Sequence, residues 1–191
     1  MNLRQRYYQL ARRIEQEFER NRALHGSKIH CTRGCTDCCH QLFLITAQDA
    51  VEIARAVERL SAEVRGELEA RARQWIERAL MRGQRTACPA LVDGACSIYE
   101  SRPLICRRFG MPIYNPDKPD RILACPLNFS DGEEIRDPEL IQIQTEIHQC
   151  WGQLQRDFSS AHPELPSGRL SVAQAILEAP SYLSCGEDEA G

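Results

Sequence analysis

Cys31-Thr32-Arg33-Gly34-Cys35-Thr36-Asp37-Cys38-Cys39 is the densest run of thiols in the chain, and its reading decides what fold can surround it. A glycine interrupts these cysteines, and the run reads as turns. Cys88, Cys96, Cys106 and Cys125 follow, and all eight lie near a turn former or another cysteine. Buried apolar cysteine is common, but eight at turns would make an odd core. Thiolates are soft ligands selected by zinc and by the iron of iron-sulfur clusters, and four of them at about 2.3 Å complete a tetrahedral zinc shell. Eight would complete two.

The spacing refines this. Two residues between Cys35 and Cys38 let the chain turn until both sulfurs face one point. Consecutive side chains diverge, so Cys38 and Cys39 do not chelate one mononuclear ion together. Either two centres share the block, or one of the pair packs or bridges while its neighbour ligates. In Cys88-Pro89 and Cys125-Pro126 the proline removes a donor and holds the preceding cysteine extended. Bacterial ferredoxins likewise place proline after a ligand cysteine.

Outward from the cysteines the chain reads as helices. Leu3, Tyr7, Leu10, Ile14 and Phe18 recur at steps of three and four, predicting a first helix of about 20 residues that ends at His25-Gly26-Ser27. Thr46-Ala47-Gln48-Asp49 resembles a capping box opening a second helix through Val51, Ala54 and Val57. Ser61 caps a third with Val64, Leu68, Ala72, Trp75, Ile76 and Ala79 on one face, closed by Gly83. Leu91 to Cys96 is a hairpin turning on Asp93-Gly94, and Pro103 opens a short helix carrying Cys106. Gly110 to Gly132, with four prolines, reads as a loop pinned at Cys125. Asp137-Pro138 starts a helix striped by Leu140, Ile147, Trp151, Leu154 and Phe158, with Cys150 on that stripe as a core thiol. A short helix from Ser171 to Glu178 follows. The expected class is mainly α, an α-rich α+β fold with helices around a small hairpin and cysteine-rich loops.

At 191 residues and 42% hydrophobic content the chain has material for one core, and we expect a single domain over 1–185 with a disordered acidic tail at 186–191. A net charge of −3 argues against broad binding to nucleic acid or anionic membrane. Charge throughout Met1 to Arg22 leaves no room there for a secretory apolar run or a membrane span, and the chain reads as cytoplasmic. In that reducing compartment the cysteines stay thiols unless a metal claims them.

The thiol block, Thr46-Ala-Gln-Asp49, Cys88-Pro-Ala-Leu91, Gly94-Ala-Cys96-Ser-Ile-Tyr99-Glu-Ser-Arg102-Pro103, Cys106-Arg107 and Cys125-Pro126 together resemble the YkgJ-type cysteine-cluster family of zinc- or iron-chelating domains over about residues 31 to 126. Cys31 and Cys35 are separated by three residues where that family usually has two. The resemblance implies metal or iron-sulfur binding, and some relatives, such as flagellin lysine N-methylases, join it to protein modification. The candidate ligands are Cys31, Cys35, Cys38, Cys39, Cys88, Cys96, Cys106 and Cys125. A 4Fe-4S cluster is the leading cofactor and zinc the alternative, the latter making a structural module that binds a protein partner.

Other residues are weighed against this centre. Arg107, beside a candidate ligand, is expected to place positive charge or an N–H near sulfur, and Arg102 to anchor the turn before Pro103. Tyr99 is assigned to the core, His40 to a cap, and Arg4, Arg6, Arg12 and Arg13 to a solvated face. Cys31-x3-Cys35-x2-Cys38 also spells the radical S-adenosylmethionine triplet, but those enzymes are α/β barrels and Asp37 stands where an aromatic is usual. A thiolate metal site contributes on the order of 10 kcal/mol, comparable with a domain's whole stability. Metal removal is therefore expected to disorder residues 85 to 130.

Overall fold

A computed structural model describes residues 1–32, 34–80, 86–130, 134–166 and 168–183. The acidic tail expected at 186–191, Cys185 and Gly83 lie outside these residues. The fold is mainly α: seven helices with three two-stranded antiparallel sheets among the described residues. No barrel is present among them. The chain divides into two compact units, 1–33 with 107–158 and 34–106 with 159–191.

The first unit is built on α1 (Leu3–His25) and α5 (Leu140–Ala161). Asn2 and Gln5 close a capping box at the start of α1, with bonds of 2.8 and 3.1 Å, worth about 1 kcal/mol. The predicted stripe buries Tyr7, Leu10 and Ile14, with Ala11, Glu17 and Asn21 beside it. At the other helix, Asp137 accepts the Glu139 N–H at 3.0 Å. The buried stripe of α5 is Leu140, Gln144, Ile147, Leu154 and Phe158. Cys150 is exposed, contrary to its assignment as a core thiol. At about 100° per residue it sits about 60° to one side of Ile147, while Trp151 sits about 40° to the other, nearer the buried Leu140, Gln144 and Phe158.

Arg6, Arg13 and Arg20 stand seven residues apart on one face of α1. They pair with Asp157, Glu146 and Asp137 in that order, so α1 and α5 run antiparallel. This corrects the solvated-face reading of Arg6 and Arg13. The three pairs are unequal. Arg13 and Glu146 are 38% and 43% exposed in their side chains, and such pairs contribute about 0 to 1 kcal/mol. Asp137 and Glu17, both on Arg20, are 1% and 4% exposed, so Arg20 carries most of the pairing energy. Ile113–Tyr114 (β4) and Ile122–Leu123 (β5) form a hairpin inside the segment read as proline-rich loop. Prolines 112, 116 and 119 flank or connect these two-residue strands without entering them, so none removes a ladder donor.

The second unit packs α2 (Ala47–Glu58) against α6 (Val172–Leu177) and α7 (Ala179–Leu183), and α3 (Ala62–Leu80) against α6. Capping boxes at Thr46 with Asp49 and at Ser171 with Gln174 start α2 and α6, and Ser61 caps α3 through the Val64 N–H at 3.4 Å. Leu44–Ile45 (β1) pairs with Leu170–Ser171 (β6). On α3 the core takes Leu68 and Ala72, while Val64 and Ala79 are exposed, because a helix lying on one neighbour buries a narrower stripe than six residues span.

Candidate metal centre

The thiols reach their places through short, locally determined pieces. Asp37–His40 is a single 3-10 turn, closed by Cys39 N–H to the Thr36 carbonyl at 2.9 Å and Gln41 N–H to the Cys38 carbonyl at 3.1 Å. His40 ties the turn down, its Nδ1 lying 3.1 Å from the Thr36 carbonyl oxygen, as a cap does. The two cysteine blocks then meet directly: the Cys88 N–H donates to the Cys39 carbonyl at 2.7 Å. From the other side α3 holds the Cys88 segment, with Arg71 Nε on the Pro89 carbonyl at 3.0 Å and Trp75 Nε1 on the Thr86 carbonyl at 3.3 Å.

Cys96 ends the hairpin of Leu91–Val92 (β2) and Ala95–Cys96 (β3). Asp93 at φ 48° and Gly94 at φ 76° supply the paired positive angles of the type I′ turn. Cys106 rides on α4 (Leu104–Arg108), directly after Pro103.

Cys38, Cys88, Cys96 and Cys106 form one electrostatic set. Burial pushes the Cys106 thiol well up, reinforced by the charges of Cys88, Asp49, Cys38 and Cys96. Cys88 is raised to about 11, by burial first and then by Cys96 and Cys38. Burial and Cys38 also raise Cys96, and Cys38 is raised by its bond to Cys39, by burial and by the charge of Cys39. Opposing these, the Ala90 N–H donates to Cys88 and the Ile98 N–H to Cys96, each two residues beyond its cysteine, a bond that favours the thiolate. Arg102 adds positive charge at Cys96. Its Nη1 donates to the Tyr99 carbonyl at 2.9 Å and its guanidinium lies 3.8 Å over the Tyr99 ring, anchoring the turn. Tyr99 is 56% exposed and not in the core, since it forms the outer surface under Arg102.

Half-buried thiols that each feel the charge of Cys38 are a donor set short of positive charge. A bound dication or iron cluster supplies that charge, so the residues fit such a group. Among the described residues, no three His, Cys, Asp or Glu side chains stand close enough together to hold an ion. No disulfide joins the nine described cysteines.

The remaining candidates divide. Cys35 belongs to the second unit and is exposed. Cys31 and Cys125 belong to the first unit, where both meet Asn128. The Asn128 Nδ2 donates to Cys31 Sγ at 3.4 Å and to the Gly110 carbonyl, its Oδ1 accepts the His30 N–H at 2.8 Å, and its own N–H bonds the Cys125 carbonyl at 2.8 Å. Asn128, 4% exposed, was missed in the sequence; its position three residues after Cys125 is the one local signal. Arg107 bonds Glu15 of α1. Arg108 bonds Gln144 Oε1 through Nε and Nη2 at 3.1 and 2.6 Å. Burial lowers its guanidinium to about 10, still cationic at neutral pH.

A family described as CxxCxxCC, putative zinc- or iron-chelating domain, matches residues 30–126. That is more than half of the chain, which belongs to this family. No curated protein and no solved structure matches. No helix among the described residues is long and apolar enough to cross a membrane.

Proposed function

We propose that this member of the chelating family holds a 4Fe-4S cluster through Cys38, Cys88, Cys96 and Cys106, with Cys35 and Cys39 as further thiolate donors in the same unit and Cys31 and Cys125 as a separate pair of candidate donors in the other, in a redox or protein-modification role. The observation that carries the proposal is the direct meeting of the two cysteine blocks, the Cys88 N–H on the Cys39 carbonyl at 2.7 Å, with the charge of Cys38 acting on Cys88, Cys96 and Cys106. A cluster of this kind supplies one-electron chemistry when bound. The chain's own residues would set its properties. The Ala90 and Ile98 N–H groups and the Arg102 charge favour thiolate at Cys88 and Cys96, and such contacts raise a cluster's potential.

Anaerobic purification with elemental analysis and visible spectroscopy tests this. Brown protein with iron and sulfide, lost on Cys38→Ser, Cys88→Ser, Cys96→Ser or Cys106→Ser, is the expected result. Colourless protein with stoichiometric zinc replaces the cluster by a zinc-stabilised interaction module, since zinc is d10. Protein without metal, or four serine variants that retain it, overturns metal binding by these thiols. Chelation is expected to lower amide-exchange protection around Cys88 and Cys96.

A further inference from the structure

Asp49 lies at the start of α2, yet its side chain serves two helices. Its Oδ2 accepts the Thr46 N–H at 3.0 Å and the Thr46 hydroxyl at 2.8 Å, completing the capping box. Its Oδ1 accepts the Leu104 N–H at 3.0 Å, across 55 residues of sequence. A capping aspartate needs only the first of these roles, and the residue is fully buried, at 0% exposure.

The second bond falls on the helix that most needs it. α4 has five residues, too few to form on its own propensity because nucleation is costly. The early N–H groups of a helix have no partner within it, and Leu104 is 1% exposed, out of reach of water. Pro103 has no N–H to offer. The Leu104 bond to Asp49 is thus what ties the first turn of α4 to α2, and Cys106 follows two residues later, close enough to Asp49 to sense its charge.

We propose that Asp49 is a positioning residue for the metal centre: the side chain that caps α2 also sets where Cys106 stands among Cys38, Cys88 and Cys96. The proposal rests on the metal-binding reading of Cys106.

The test compares Asp49→Asn, Asp49→Glu and Thr46→Ala with the parent, all purified anaerobically. Asparagine keeps the shape but has one acceptor oxygen, so it cannot take both the Thr46 and the Leu104 N–H. Glutamate keeps both oxygens and moves them outward by one methylene, covering the case in which the asparagine variant fails to fold. Thr46→Ala weakens the α2 cap and leaves the Leu104 bond. Two quantities are read: the visible absorption and metal content of each protein, and the alkylation rate of Cys106 relative to Cys88 by iodoacetamide, mapped by mass spectrometry with and without chelator.

Asp49→Asn should raise the Cys106 to Cys88 ratio at least about tenfold, the factor matching loss of one hydrogen bond to a charged group. Asp49→Glu should raise it less, both should lower or shift the metal signature, and Thr46→Ala should leave both readings at the parent values. An unchanged ratio in both Asp49 variants overturns the proposal, as does an equal rise in Thr46→Ala. If the parent binds no metal, the metal reading fails alone, because the ratio in chelated protein still reports whether Asp49 places Cys106.

Discussion

Replacing Gly110 by alanine separates two costs that the structure assigns to one position. Gly110 has φ +116°, a conformation that L side chains rarely adopt, and a Cβ built there would lie 2.6 Å from Cys31 Sγ and 3.2 Å from Phe18 Cε2. Backbone strain of this kind costs about 1 to 3 kcal/mol. The steric part requires Cys31 to retreat by about 1 Å to reach an ordinary contact, while Asn128 holds both that sulfur and the Gly110 carbonyl. Forced overpacking costs a further 1 to 3 kcal/mol or so, and the expected total is about 2 to 6 kcal/mol.

Gly26→Ala is the control in the same unit: its φ is +55° with ψ −123°, and nothing lies within 4 Å of the added carbon, so only the backbone cost, about 1 to 3 kcal/mol, applies. The decisive measurement is a double-mutant cycle with Cys31→Ala in chelated, reduced protein, by urea denaturation followed through helix ellipticity with the slope checked for constancy. Removing the sulfur should recover about 1 to 2 kcal/mol of the Gly110→Ala loss. Equal costs in both backgrounds, or a cost no larger than that of Gly26→Ala, would refute the close approach of Cys31 to Gly110.

Two further outcomes follow from the first unit. Burial pushes the Asp137 carboxyl up, but its bonds to Arg20 and to the Glu139 N–H, with the Arg20 charge, bring it below the usual range. Its contribution is therefore complete above the unfolded carboxylate pKa of about 3.9 and is lost as pH falls through the lower folded value. Arg20→Gln should cost about 2 to 3 kcal/mol at neutral pH, discounted from the fully buried case because Arg20 is 30% exposed, and should flatten the acid limb of a stability profile; an unchanged limb would count against the pair. Cys150→Ser should leave metal content unchanged and stability within about 0.5 kcal/mol, because the thiol is exposed on α5. Loss of metal on that substitution would assign Cys150 a role that its position denies.

Most of what proved legible in the sequence is local. Tyr7, Leu10 and Ile14, the boxes at Thr46 and Ser171, Ser61, the Asp93-Gly94 turn and Pro103 all work within a few residues, where periodicity and capping decide the outcome. The misreadings have local causes in part and tertiary ones in part. Cys150 was one step from the centre of its stripe, Tyr99 took a cation for cover, and Arg6 and Arg13 looked solvated until the partner helix supplied their acids. Seven-residue spacing of Arg6, Arg13 and Arg20 was the available hint.

The sequence by itself determined that this is a helical chain of the chelating family with its thiols at turns, because both facts are written in short-range spacing. Only the tertiary structure decided that Cys38, Cys88, Cys96 and Cys106 share one electrostatic set, that Cys31 and Cys125 meet at Asn128 instead, and that Asp49 reaches Leu104. Most of those partners are separated by tens of residues, and which of them meet depends on how whole helices pack, a choice that no local preference encodes.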